Sequence, residues 1–222
     1  MTETVSPGTP EKKKRKKHGP REGTAQRRQD ILNAAMQVFA AKGFHAGTLN
    51  DVAELVGMTH AGVLHHFGSK DNLLRAVIEY RDDIDSSEAH AAYGLDFFKH
   101  LIATAKNNAT RPGIVQTYVV LSAEAVTEGN PGAEYFAGRF EGLRGLILSQ
   151  LTAISPSEDP LPEIQLQLAA SNIIALMDGL QVQWLLNRDS VDLVDATVFG
   201  IDSILRNVAA GRAGRPIVTA DE

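Results

Sequence analysis

Residues 48–74 read Thr48-Leu-Asn-Asp-Val-Ala-Glu-Leu-Val-Gly57-Met-Thr-His-Ala-Gly-Val-Leu-His-His-Phe67-Gly-Ser-Lys70-Asp-Asn-Leu-Leu74. Thr48 followed by Asp51 has the spacing of a capping box, which opens a helix by satisfying its first free amides. Val52, Leu55 and Val56 give that helix one apolar face, and Ala53 is small enough for a second helix to cross close over it. Gly57 stands where a tight turn needs a positive φ. Thr59 caps the next helix, whose inner face is Val63 and Phe67. A small residue, a glycine four later and an apolar residue six after that form the helix-turn-helix arrangement, whose second helix enters the DNA major groove.

Helical periodicity extends outward on both sides. Ile31, Leu32, Ala35, Val38 and Phe39 fall at helical spacing, with Gly43 after them as a stop. Short helices are expected over 48–56, 59–67 and 70–85. Longer ones are expected over 89–107, 111–128, 132–153, 162–187 and 190–210, punctuated by Pro112, Pro131 and the stretch Pro156–Pro162. No alternating strand pattern and no internal repeat stands out. The expected fold class is all-α.

Composition bounds the rest. The 222 residues are 43% hydrophobic and 22% charged, enough for a sizeable core, but only 6% aromatic. The net charge of −5 argues at face value against a nucleic-acid partner. Its distribution argues otherwise: residues 1–80 hold 12 Lys and Arg against 8 Asp and Glu, and residues 81–222 hold 10 against 19. The absence of cysteine excludes disulfide scaffolds, thiolate metal sites and cysteine nucleophiles. No apolar run is long enough to span a bilayer, and no secretory signal follows the N-terminal charges, so a cytoplasmic protein without membrane association is expected. Residues 1–23 read as a disordered basic arm carrying Lys12-Lys13-Lys14-Arg15-Lys16-Lys17. That run fits a solvated tail, a nuclear-import signal, or an arm that adds phosphate contacts beside a DNA site.

From Gln26 to Leu74 the chain resembles the N-terminal domain of the TetR family of bacterial transcriptional regulators. The resemblance rests on Ala41-Lys42-Gly43-Phe44, Thr48, Asp51-Val52-Ala53, Gly57, Leu64-His65-His66-Phe67 and Ser69-Lys70-Asp71. It implies a homodimer of all-helical subunits, each with a three-helix DNA-binding head and a larger domain whose pocket holds an inducer. The expected division is 24–70 for the head, 71–212 for the ligand-binding and dimerisation domain, and 213–222 for a flexible tail. The chain departs from the family pattern at Leu64 and His66, where aromatics are usual, at Gly68, where proline is frequent, and at Gly62, where a hydrogen-bonding residue is usual.

On this reading Thr48 and Thr59 cap their helices and bind phosphate through hydroxyl and helix-terminal amides. His60, Ala61 and Gly62 begin the recognition helix, His60 suited to a guanine acceptor and Ala61 to a thymine methyl. Leu64 and His66 extend the DNA-binding set, His65 resembles the family's histidine beside the phosphate backbone, and Lys70 its phosphate-binding lysine. Val63, Phe67 and Met58 are core. His60, His65 and His66 invite a metal reading, but none of them stands at the i,i+4 spacing that puts two imidazoles on one helical face. No metal or other cofactor is expected.

In the back half Val194, Val198, Ile201, Leu205 and Val208 form one helical stripe. The helix before it is apolar on more than one face, through Leu166, Ala170, Ile173, Met177, Leu180 and Trp184 and, around it, Leu168, Ala175, Val182 and Leu186. Two such helices fit an isologous four-helix dimer interface, with Ile173, Leu180, Val194, Val198, Ile201 and Leu205 as contacts. Phe97, Leu101 and Tyr118, with Asn172, Gln181 and Trp184 as polar partners, are the candidate ligand residues. No Ser/His/Asp arrangement, phosphate loop or metal box points to an enzyme. The expected function is a ligand-responsive dimeric regulator that binds a double-stranded, palindromic operator, a repressor released by a small-molecule inducer. An activator of the same fold and a nonspecific DNA-binding protein are the alternatives.

Overall fold

The computed structural model describes residues 22–86 and 92–211. Among these residues there are nine helices and no strand, as the all-α reading expects: α1 Glu22–Ala46, α2 Leu49–Leu55, α3 His60–Phe67, α4 Lys70–Ser86, α5 Leu95–Ala109, α6 Pro112–Glu124, α7 Ala133–Ile154, α8 Glu163–Leu186 and α9 Leu193–Ala210. The lysine-rich run at 12–17 and the expected tail at 213–222 lie outside the described residues. No helix among those described is long and apolar enough to cross a membrane. Nor do three His, Asp or Glu side chains gather there as a metal site requires.

Local chemistry explains where helices begin and break. α9 starts at Leu193 rather than 190 because the Asp192 carboxylate accepts the amides of Val194 and Asp195, both at 2.9 Å. The expected stop at Gly43 is a break inside α1: its φ of 73° and ψ of 175° are non-helical, though helical turns resume to Ala46. A side chain at Gly43 would also collide, since an added Cβ lies 2.1 Å from Glu124 Oε1. Glu124 is the last residue of α6, and its Oε2 accepts the Phe44 amide at 2.5 Å. The break in α1 thus admits a carboxylate from α6 to the main chain of the head.

Two main clusters make the core. In the first, Ile31, Leu32, Ala35, Val38 and Phe39 of α1 meet Val52, Ala53, Val63, Phe67, Leu73, Leu74, Val77 and Ile78 of α2–α4. Tyr118, Leu121 and Ala125 from α6 and its C-cap, and Phe136 from α7, complete that same cluster. The second cluster joins α5, α7, α8 and α9 through Phe97, Phe98, Ile147, Leu151, Leu166, Ala170, Ile173, Ile201 and Val208. Ile173 and Ile201, expected at an interface between subunits, are 0% and 1% exposed there. They pack inside their own subunit because α8, apolar around most of its circumference, turns one face inward against α7 and α9. α9 crosses α8 closely at Gly200, where an added Cβ would stand 2.3 Å from Leu176 Cδ2.

A candidate DNA-reading face joined to a buried cavity

The α2–α3 turn is built as its sequence dictates. The Thr48 amide donates to Asp51 Oδ2 at 2.9 Å and the Asp51 amide to Thr48 Oγ1 at 3.1 Å, a complete capping box. Lys42 Nζ adds a salt bridge to Asp51 Oδ1 at 2.8 Å. The Lys42 hydrogen bond, followed by those from Thr48, lowers the Asp51 pKa to about 2. Gly57 takes φ 62°, and Thr59 Oγ1 then accepts the Gly62 amide at 3.1 Å to open α3. Val63 and Phe67, 0% and 7% exposed, fix α3 to the head core.

That anchoring leaves Thr48, Thr59, His60, Ala61 and His65 exposed together on one side of the two helices, with Gly62, His66 and Lys70 half-buried beside them. Nδ1 of His60 lies 2.8 Å from Asn50 Oδ1, so the exposed ring is braced by α2. Lys70 Nζ donates to the His45 carbonyl at 3.3 Å and sits 4.4 Å over the Phe44 ring, which leaves further ammonium hydrogens for a phosphate. Leu64 is half-buried like Gly62, His66 and Lys70, and packs against the first core cluster, supporting α3 from the side. Asn50 and Arg28 were not among the expected residues. Arg28 lies 4.1 Å over the Phe67 ring and donates to the His66 carbonyl at 3.2 Å, clamping the end of α3.

This geometry coincides with a match to known proteins. Residues 31–77 match the model of the bacterial regulatory proteins of the TetR family. The match spans Ile31 to Val77, from α1 into α4. The chain is 26% identical over 188 residues to the transcriptional regulator TtgR of Pseudomonas putida, covering 78% of this chain and 87% of TtgR. It is 37% identical over 70 residues to the transcriptional repressor KstR2 of Mycobacterium tuberculosis, covering 28% of this chain and 35% of KstR2. The fold is similar to that of SmeT in a complex with triclosan, at 16% identity and a TM-score of 0.68 over 87% of this chain and 96% of SmeT. Both curated relatives are named as regulators of transcription.

Behind the head, α4–α8 line a cavity of about 800 Å³ that opens to the surface at Glu134, Gly138 and Gly142 of α7. Phe97, Leu101, Tyr118 and Gln181 line it, four of the six candidate ligand residues. Asn172 and Trp184 do not. Asn172 is nine residues before Gln181 on α8, about two and a half turns, so it faces outward and is exposed. Trp184 is buried in a separate cluster with Val115 and Leu193, beneath the Arg188 guanidinium at 5.1 Å. Arg81, Asp82, Asn108, Tyr135, Arg139 and Asp178 also line the cavity and were not anticipated.

The charged groups here neutralise one another. Asp82 pairs with Arg81 at 3.0 Å and with Arg139 at 2.5 Å, and accepts the Tyr135 hydroxyl. Arg81 lies 4.2 Å over the Tyr118 ring. Burial raises the pKa of the Asp178 carboxyl, while Arg139 and Arg81 pull it back down. Tyr118, whose hydroxyl donates to Asp178 at 3.4 Å, is held above its ordinary pKa by burial and by the Asp178 charge. Tyr118 and Glu124 lie on the same helix, so α6 reaches from the cavity wall to the Phe44 amide of the head.

Proposed function

We propose that this regulator binds a two-fold symmetric operator as a homodimer and is released from it by a small molecule held in the α4–α8 cavity. The observation that carries the proposal is α6, which presents Tyr118 to the cavity and Glu124 to the backbone of the head. Thr48, Thr59 and Lys70 hold the phosphates; His60, Ala61 and Gly62 approach the bases, with His65 and His66 beside the backbone. Regulation is by repression, as the name of KstR2 states for that relative.

The subunits pair through the outer faces of α8 and α9. Ile164, Leu168, Val182 and Leu186 of α8, 61%, 56%, 41% and 82% exposed, and Val198 and Phe199 of α9, 39% and 77% exposed, form that apolar surface. From the expected set Leu180, Val194, Val198 and Leu205 remain available to it, while Ile173 and Ile201 support it from within. Two heads then enter successive major grooves roughly 34–36 Å apart. A ligand that prefers another head separation shifts the population off DNA by its differential affinity for the two states.

The test is to capture genomic fragments on the purified protein and then add metabolites of the neighbouring operons. Specific capture, with release by at least one such metabolite, is the expected result. Capture of fragments without sequence preference overturns the proposal.

A further inference from the structure

The cavity contains two buried amide groups that the fold does not satisfy. Asn108 on α5 is 0% exposed; its Oδ1 accepts from Arg111 Nη2 at 3.2 Å, which turns Nδ2 the other way, where it has no partner. Gln181 on α8 is 5% exposed, and its Oε1 is likewise without a partner. Buried polar groups are nearly always hydrogen-bonded, so a donor and an acceptor left unpaired on two helices that line the same cavity point to a ligand. The charged lining residues point to its charge. A cationic ligand meets two guanidiniums, Arg81 and Arg139, and an anionic ligand meets three carboxyls, Asp82, Asp178 and the exposed Glu134. Arg81, Arg139, Asp82 and Asp178 already engage one another or Tyr118 and Tyr135. The remaining walls include Phe97, Leu101, Leu143, Leu146, Ile147 and Met177.

We propose that the inducer is an uncharged, mainly apolar molecule carrying a carbonyl-type acceptor for Asn108 and an N–H or O–H donor for Gln181, as a carboxamide does. The inference rests on the reading of the cavity as the regulatory site. It is specific to this chain because it depends on which amides α5 and α8 bring to the cavity.

The experiment is isothermal titration of the full-length protein with four probes that share one ring system: 2-naphthamide, 2-naphthoate, 2-naphthylmethylamine and naphthalene. The amide is expected to bind most tightly, by about tenfold or more over naphthalene. Asn108→Leu and Gln181→Met are each expected to remove that preference while leaving naphthalene binding intact, which also shows that the variants are folded. Tighter binding of the naphthoate or the amine overturns the inference, as does an amide preference that survives both substitutions. Equal binding of all four probes overturns the ligand class alone. If none of the four binds, the reading of the cavity as a ligand site fails with it.

Discussion

At the first turn of α3, His60 Nδ1 stands 2.8 Å from Asn50 Oδ1, so in the proposed complex Nε2 is the atom offered to a base edge. His60→Ala is therefore expected to relax sequence preference at one base step while sparing general affinity, which selection from randomised DNA reads directly. Unchanged preference removes His60 from the readout. A second residue-level expectation concerns Asp51. Its folded pKa of about 2 lies below the ordinary carboxylate value of 3.8. The capping box thus stabilises the head fully above about pH 4 and loses that contribution as pH falls through about 2. The stability difference between wild type and Asp51→Asn, measured by urea unfolding, should shrink as the pH is lowered from 5 to 2. A difference that stays constant over that range contradicts the pairing of Asp51 with Lys42 and Thr48.

Among the elements, Gly43 and Gly57, two of the three glycines with positive φ in the head, separate two kinds of cost. Gly57 has φ 62° but open space at its Cβ, so Gly57→Ala costs only backbone strain, about 1–2 kcal/mol. Gly43 has φ 73° and the Glu124 carboxylate in the way, so Gly43→Ala is expected to destabilise by more than Gly57→Ala and to displace α6 from the head. Denaturant midpoints of the two variants decide it; equal losses would mean that the Glu124 contact contributes nothing. The α2–α3 unit was legible in the sequence because its rules are local: Thr48 with Asp51, Gly57, Thr59, then Val63 and Phe67 all act within one or two turns. The partial burial of Leu64 was not legible, because it depends on how α3 packs on the rest of the head. On α8, helical angle alone separates outward Asn172 from inward Gln181, a signal present in the sequence. Asn108 gave no such signal, since a polar residue near the end of α5 looks like any solvated helix terminus.

For the whole molecule, the charge of the first eighty residues is sharper than their total. Residues 24–80 hold five Lys and Arg against five Asp and Glu, so the basic excess comes from residues before 24. Deleting residues 1–21 should weaken DNA binding and flatten its dependence on salt while keeping the sequence preference. Loss of the preference itself would transfer recognition from α3 to the arm. The cavity was the least legible feature, because it exists only where residues from α4, α5, α6, α7 and α8 converge. The apolar stripe of α9 was visible in the sequence, but which of its residues face a second copy depended on how α8 and α9 cross at Gly200. Phe199→Glu combined with Leu186→Glu is expected to yield monomers by sedimentation, with helical content retained; a persistent dimer would place the interface elsewhere.

The central claim is that two copies of the α2–α3 unit read DNA as a symmetric pair. Footprinting the protein base by base on a captured fragment tests it most directly. Two inverted half-sites are expected, their centres about 10–10.5 base pairs apart or a multiple of that spacing, with protection on one face of the duplex. A single asymmetric footprint bound by one subunit would contradict it.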